Sequence, residues 1–183
     1  MPAILSQKLW QVCHPDPLLQ VLLSNSLKVH HLIAQVLANR GIATALEGEE
    51  FLSADLGRLH DPFLLKDMDK AVGRIKQAQA NKEKVLVFGD YDVDGVTSSA
   101  LLYKILTRLG VEVSNHIPHR MVDGYGLNET IGQIAKDDGI KLLIAVDCGI
   151  TAGREVDLLN ELGIDVIIID HHEPPPQGLP NAL

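Results

Sequence analysis

The chain has 183 residues, of which 46% are hydrophobic and 22% are charged, and this balance excludes a disordered or fibrous protein. The 16 Lys and Arg residues against 24 Asp and Glu give a formal charge of -8 and a pI of about 5.4. A basic surface that covers the whole protein and binds nucleic acid non-specifically is therefore excluded. Nucleic acid can bind only at a local site.

The cysteines and the N-terminus indicate the compartment. Cys13 and Cys148 are far apart and form no CxxC pair, which argues against a disulfide framework and against a zinc knuckle. Residues 1–11 lack the charged-then-apolar pattern of a signal peptide, and no apolar run approaches the roughly 20 residues that span a bilayer. We expect a soluble, cytoplasmic protein with no membrane partner.

Apolar residues recur at the i, i+3, i+4 spacing of a helix in two stretches before residue 83. Gly41 follows the first stretch as a helix stop, and the break at His60-Asp61-Pro62 precedes the second. We expect residues 1–83 to form a helical lead-in that packs on the core. The apolar positions are Val29, Leu32, Ile33, Val36 and Leu37, then Met68, Ala71, Val72 and Ile75.

From Lys84 onward the period changes, and apolar runs rich in β-branched residues alternate with helix-length segments. This βαβαβαβ order predicts an α/β fold, with a largely parallel, doubly wound sheet and helices on both faces. The helical lead-in precedes it, and residues 84–183 form the second domain. The predicted strands are Val85–Phe88, Val111–Ile117, Leu142–Val146 and Ile164–Ile169, and the predicted helices are Val96–Leu109, Glu129–Lys136 and Ala152–Leu162.

Three of these strands end in acids. Asp90, Asp92 and Asp94 follow the first strand, and in an extended segment they point the same way and repel unless a cation lies between them. The alternative is a loop in which Asp94 caps the next helix. A calcium EF-hand is disfavoured, because Leu101 stands where its twelfth loop position needs glutamate.

Further ligand types follow the other two strands. Asp147 comes directly after one strand and Asp170-His171-His172 after the last. The carboxyl ends of parallel strands share one edge, so these side chains are expected to meet there, although each alone is also compatible with a turn. Carboxylates and imidazole suit Mn²⁺ or Mg²⁺, and a carboxylate shared between two ions about 3.5–4 Å apart suits phosphoester hydrolysis.

A glycine-rich loop follows the second strand. Arg120 with Gly124, Tyr125 and Gly126 could clamp a phosphate or stack a base, and the alternative is a glycine turn with a surface arginine. We expect Cys148 to be a packing residue, because the acids around it raise a thiol pKa rather than lower it.

Four segments resemble the successive motifs of the DHH phosphoesterase superfamily, and most closely the RecJ single-strand-specific exonucleases. They read GDYDVDGVTSSALL, HRMVDGYGLN, AVDCGI and IIDHHEPPP, and LIAQVLANRGI in the lead-in is similar too. The resemblance covers nearly the whole chain from about Trp10. It implies a 5′-to-3′ exonuclease that releases mononucleotides from single-stranded DNA in repair and recombination.

The resemblance also implies roles for single residues. It makes Asp92, Asp94 and His171 metal ligands, and Asp147 the carboxylate that bridges two Mn²⁺ or Mg²⁺ ions. His172 becomes a second ligand or a contact of the scissile phosphate. Asp90 and Asp170 become supporting residues, and the substrate loop comprises Arg120, Gly124, Tyr125 and Gly126.

RecJ proteins are several times longer than this chain, and the resemblance places a further aspartate ligand, closing strands and a strand-holding surface beyond Leu183. We therefore expect an N-terminal piece of the catalytic domain with little or no nuclease activity alone. We also expect an uncovered sheet edge that invites self-association. Two other functions stay open. One is a DHH phosphodiesterase or pyrophosphatase for small substrates, although Phe88 stands where the pyrophosphatases carry histidine. The other is a non-catalytic RecJ-like binding module.

Overall fold

The alternation of strands and helices that the sequence predicts after Lys84 is present in the structure. The protein is described by a computed structural model, which covers residues 13, 16–53, 55–119 and 126–183. The chain divides into two compact units, Met1–His60 and Asp61–Leu183, and each is described by itself.

The first unit consists of short helices that begin at polar caps. Asp16, the residue before Pro17, accepts hydrogen bonds from the Leu18 and Leu19 N–H groups, and Thr44 and Glu47 form a reciprocal capping box. Their helices pack around four buried residues, Leu23, Ala34, Leu37 and Ile42. The helices are α1 (Pro17–Leu27), α2 (His31–Asn39) and α3 (Ala45–Leu52), followed by a 3₁₀ turn at Leu56–Arg58.

Helix α2 confirms the helix that the spacing predicts before Gly41. Most of the apolar side chains on which that prediction depends are exposed. Leu32 is 62% exposed and Val36 is 54% exposed, whereas Ala34 and Leu37 are buried. The buried face of α2 is thus made partly by a small residue that the spacing did not include. This unit carries apolar side chains on its surface.

The second unit is a four-stranded parallel sheet in the order β2-β1-β3-β4. After β1 the chain places β2 on one side of it, and then places β3 and β4 on the other side. The direction of the strand order therefore reverses between β1 and β3. Open α/β sheets bind ligands at such a reversal. The elements are a 3₁₀ turn (Pro62–Leu64), α4 (Met68–Asn81), β1 (Lys84–Gly89), α5 (Val93–Arg108), β2 (Glu112–His116), α6 (Glu129–Asp137), β3 (Ile140–Val146), α7 (Gly153–Glu161) and β4 (Asp165–Ile169).

Helices cover both faces of this sheet, which confirms the predicted α/β fold. On one face, α4 and α5 pack on Val85, Val87 and Ile144. On the other face, α6 and α7 pack on Phe88 and Leu143. Successive strand residues point to opposite faces, so a strand with helices on both sides must be apolar throughout. The continuous runs in β1 and β3 meet this requirement.

Helix α4 is fixed to the amino end of the sheet by one arginine. The Arg74 side chain, only 10% exposed, forms ion pairs with Glu83 at 2.7 Å and Asp165 at 2.5 Å, and donates to the Lys141 carbonyl at 3.2 Å. These contacts join α4 to the residue before β1 and to the first residues of β3 and β4. The expected domain boundary between residues 83 and 84 stays a prediction. Helix α4, which precedes that boundary, packs within the same compact unit as the sheet.

The outer edges of the sheet differ. Leu183 donates its N–H to the Val166 carbonyl at 2.9 Å and accepts from the Ile168 N–H at 3.3 Å, so it occupies part of the β4 edge. Strand β2 pairs with β1 on one side and has no second partner strand within the described residues. Among those residues there is also no helix both long and apolar enough to cross a bilayer.

Candidate metal centre

Strand β1 delivers Asp90 to the carboxyl edge of the sheet, where a glycine in α5 allows a very close approach. Asp90 is 4% exposed, and its Oδ1 accepts from the Tyr91 N–H at 2.7 Å. A Cβ on Gly95 would lie 2.3 Å from the Asp90 carbonyl oxygen and 2.5 Å from its nitrogen. Only glycine lets the first turn of α5 reach the strand end.

Asp92, and not Asp94, caps helix α5. The Asp92 Oδ1 accepts from the Asp94 N–H at 3.0 Å and from the Gly95 N–H at 3.1 Å, and these hydrogen bonds, that from Gly95 first, lower the pKa of Asp92. The helix therefore begins at Val93, three residues before the predicted start at Val96. Asp94 lies in its first turn, so the three acids do not lie along one extended segment, and of the two alternatives the helix cap is the one present, at Asp92 instead of Asp94.

Asp147 directly follows β3 and has a left-handed backbone conformation, with φ of +61°. This region is uncommon outside glycine, although Asp and Asn tolerate it best. The Asp147 N–H donates to the Ile169 carbonyl at 2.9 Å, which ties Asp147 to the end of β4. The residue is 7% exposed. Burial raises the pKa of Asp147, and the neighbouring Asp92 carboxylate raises it further.

Asp170 joins the loop after β3 to the loop after β4. Its side chain is 1% exposed. Its Oδ2 accepts from the Ile150 N–H at 3.0 Å, and its Oδ1 accepts from the His171 N–H at 2.7 Å and the His172 N–H at 3.1 Å. Burial opposes its ionisation, but these bonds and the one from the His172 ring outweigh burial and lower the pKa of Asp170.

The two histidines contact different carboxylates. His171 Nε2 lies 3.0 Å from Asp147 Oδ1, and His172 Nδ1 lies 2.7 Å from Asp170 Oδ1. The second contact raises the pKa of His172. A carboxylate that binds one ring nitrogen fixes the ring orientation and the proton position, as in many metal-binding histidines.

Two groups of side chains within the described residues have the spacing to hold a metal ion, and Asp147 belongs to both. Asp90, Asp92 and Asp147 form one group, and Asp147, His171 and His172 form the other, with ligand atoms within 4.8 Å of one another in each. The oxygen and imidazole donors suit Mn²⁺ or Mg²⁺. Asp94 is in neither group. It lines an adjoining open cleft of about 310 Å³ with Ser98, Asp147, Ile169, Asp170 and His171.

The carboxyl-edge acids and histidines lie in a segment that matches a known family. Residues 84–183 match the N-terminal domain model of the DHH family. The chain belongs to the DHH family.

Relatives and solved structures agree with this DHH assignment. The chain is 41% identical over 172 residues to the single-stranded-DNA-specific exonuclease RecJ of Bacillus subtilis (strain 168), and 40% identical over 119 residues to that of Thermus thermophilus. These matches cover 94% and 63% of the chain. They span 22% and 18% of the relatives, so the chain corresponds to about a fifth of their length.

Two crystal structures with bound manganese resemble the fold. RecJ from Thermus thermophilus in complex with Mn²⁺ matches with a TM-score of 0.66 at 29% identity, over 95% of this chain and 24% of that one. An exonuclease RecJ bound to manganese matches with a TM-score of 0.61 at 37% identity, over 65% of this chain and 30% of that one. The RecJ resemblance that the motifs indicate is thereby confirmed.

The expected substrate loop of this DHH chain is mostly outside the described residues. Arg120, Gly124 and Tyr125 lie there, so the structure does not test them. Gly126 is described, and it is buried with φ of +74°, a left-handed conformation that favours glycine. Cys148 is 1% exposed, and burial, followed by the charges of nearby acids, raises its pKa to about 12. This agrees with its expected packing role.

One residue that lines the DHH cleft was missed by the sequence analysis. Ser98 lies one helical turn after Asp94 on α5, so both side chains lie on the same face. The i, i+4 spacing was visible in the sequence. That spacing did not indicate a shared helix face, because the helix was expected to begin at Val96, after Asp94.

Proposed function

We propose that this chain is the N-terminal catalytic part of a RecJ-like 5′-to-3′ exonuclease for single-stranded DNA. It would hydrolyse phosphodiester bonds with two Mn²⁺ or Mg²⁺ ions and release mononucleotides, in cytoplasmic DNA repair and recombination. The observation that carries the proposal is the position of Asp147 in both candidate ligand groups. A shared carboxylate is the arrangement that two-metal phosphoester hydrolysis needs. The similarity to RecJ exonucleases supports the substrate class.

The proposed ligands are Asp92, Asp94, Asp147 and His171, with Asp147 between the two ions. Asp90 is proposed as a supporting residue, the role that the resemblance to RecJ implies for it, and its buried carboxylate lies within the ligand group that it forms with Asp92 and Asp147. Asp94 is exposed and lines the adjoining cleft, from which it can turn toward an ion near Asp147.

The remaining residues orient the ligands and the substrate. When bound, the two cations would neutralise the charge that develops on the phosphoryl oxygens and activate water for in-line attack. His171 is held toward the centre by its contact with Asp147. Asp170 is proposed to fix His172, which would serve as a second ligand or contact the scissile phosphate. Arg120, Gly124, Tyr125 and Gly126 are proposed as the substrate loop.

Metal binding tests the proposed centre directly. Calorimetric titration with Mn²⁺ should show two bound ions in the wild-type chain. Asp147→Asn should abolish at least one of them, because it removes the shared charge with a side chain that tolerates the left-handed backbone. Asp157→Asn, at an exposed acid on α7, is the matched control and should bind as the wild type does. Equal binding by Asp147→Asn would refute the assignment.

Nuclease assays separate catalysis from binding. We expect 5′-labelled single-stranded DNA to be degraded slowly or not at all by this chain alone, since it spans 22% of its Bacillus subtilis relative. Rapid manganese-dependent release of mononucleotides would contradict that expectation.

Self-association is proposed through the outer edge of β2. That edge has unpaired backbone groups within the described part of the chain, whereas Leu183 occupies part of the β4 edge. Light scattering over a range of concentrations should show a dimer. A monomer at every concentration would remove this proposal.

A further inference from the structure

We propose that the cleft beside α5 binds one nucleotide unit of the substrate, with the Ser98 hydroxyl donating to a phosphate oxygen and the Ile169 side chain packing against the adjoining sugar. This inference rests on the proposed function and names where on that site the phosphate ester lies. The cleft measures about 310 Å³ and opens directly beside Asp147 and His171. A phosphate held there would lie next to both candidate ligand groups.

The first argument is the position of Ser98 among three consecutive hydroxyl residues. Thr97 bends back and donates to the Val93 carbonyl at 2.6 Å. Ser99 is 2% exposed and faces Gly89, where an added Cβ would lie 2.0 Å from the Ser99 Oγ. Ser98 is half-buried, lines the cleft, and has no hydrogen-bond partner within the described residues. Of the three, Ser98 is the hydroxyl available to a ligand.

The second argument is the shortage of donors in the cleft. Its lining includes Asp94, Asp147 and Asp170, which in their ionised form accept hydrogen bonds and repel a phosphate. His171 Nε2 is engaged with Asp147. Cations would offset the repulsion, but they do not orient the phosphate by a directional contact. A neutral O–H donor can do so without adding charge, and among the described lining residues Ser98 provides it.

The third argument concerns what lies next to the phosphate. Ile169 is the apolar member of the cleft lining and is 51% exposed. Its neighbour two residues earlier, Ile167, packs with the α4–α5 face of the sheet, so alternation along β4 places Ile169 on that same face. An apolar surface adjoining a phosphate site fits a nucleoside phosphate better than inorganic phosphate or pyrophosphate.

The test measures binding of two probes to the whole chain in the presence of Mn²⁺. Thymidine 5′-monophosphate carries the phosphate and the sugar, and methyl phosphate carries the phosphate alone. Ser98→Ala should weaken both by about tenfold, the lower end of the range for a hydrogen bond to a charged group, because Ser98 is half-buried. Ile169→Ala should weaken the nucleotide by about threefold and leave methyl phosphate unchanged.

Matched variants distinguish the hydroxyl from general effects. Ser98→Thr keeps the donor and should bind both probes within about threefold of wild type. Thr107→Val removes a hydroxyl from the far end of the same helix, where it donates to the Tyr103 carbonyl, and should change neither affinity. Mn²⁺ affinity should be unchanged in all four variants. Alanine at position 98 favours the helix, so Ser98→Ala is expected to fold.

Other outcomes overturn the proposal in distinguishable ways. If Mn²⁺ binds normally and Ser98→Ala leaves both probe affinities within twofold, the nucleotide cleft is wrong and the metal centre stands. If Ser98→Ala also loses Mn²⁺, Ser98 acts on the metal site and not on the phosphate. If the wild-type chain binds neither Mn²⁺ nor the nucleotide, both this inference and the proposed function fail.

Discussion

Replacing Asp170 by Asn should destabilise the protein by about 2 kcal/mol. The Asp170 carboxylate is 1% exposed and accepts four hydrogen bonds, of which three reach Oδ1 and one, from the Ile150 N–H, reaches Oδ2. An amide that keeps its oxygen toward the three donors must turn its NH₂ toward the Ile150 N–H. One buried donor then loses its partner, at a cost of about 1–3 kcal/mol.

Two further effects determine the net change in the free energy of unfolding of Asp170→Asn. The three remaining hydrogen bonds lose the charge that makes them roughly twice as strong as neutral ones, which adds on the order of 1 kcal/mol. Removing one of the three carboxylates that line the cleft, with Asp94 and Asp147, relieves repulsion and offsets about the same amount. The net loss is therefore close to that of the unpaired Ile150 N–H, about 2 kcal/mol.

Urea unfolding followed by circular dichroism measures this loss. Asp157→Asn is the comparison variant, because it makes the same change at an exposed position of α7 and should alter the free energy of unfolding by at most about 0.5 kcal/mol. Asp170→Asn should also weaken Mn²⁺ binding, since the hydrogen bond from the Ile150 N–H, one of the links between the loops that carry Asp147 and His171, is lost. A free energy of unfolding no lower than that of Asp157→Asn would refute the reasoning.

Two other predictions concern packing and pH. Gly95→Ala should lower the free energy of unfolding by roughly 1–3 kcal/mol because its methyl group meets backbone at 2.3 Å, whereas Gly153→Ala, with nothing within 4 Å, should be neutral or stabilising in the same urea assay. Hydrogen bonds from Asn81 and Arg74 lower the pKa of Glu83. The contribution of Glu83 to the free energy of unfolding is therefore full above its ordinary pKa of 4.5, and it is lost as the pH falls through the lowered pKa. As the pH is lowered below 4.5, the urea concentration at the unfolding midpoint should therefore fall less for Glu83→Gln than for the wild type. Parallel plots of this midpoint against pH for the two proteins would contradict the prediction.

The strands and their ends could be predicted because buried parallel strands are apolar throughout, and this pattern is local. The runs ending before Asp90, Asp147 and Asp170 are continuous in the sequence and occupy β1, β3 and β4 in the structure. Because all the strands are parallel, the residues that follow them lie at the same edge of the sheet. No knowledge of side-chain contacts was needed for either inference.

The arrangement within the acidic segment could not be predicted, because it depends on contact between distant parts of the backbone. The start of α5 at Val93 requires Gly95 to lie against the end of β1, and spacing alone does not reveal that contact. With the earlier start, Asp92 becomes the cap and Asp94 moves into the helix. The outward stripe of α2 has a similar cause, since which face is buried is decided by the neighbouring helices.

The left-handed backbone at Asp147 restricts what evolution can place at that position. Glutamate carries the same charge and can bind the same ions, yet it lacks the short side chain with which Asp and Asn tolerate this conformation. A glycine would suit the backbone and lose the carboxylate. Drift at this position would then pass through Asn, which keeps the turn and loses the charge, so a descendant that gave up its ions could keep this fold unchanged.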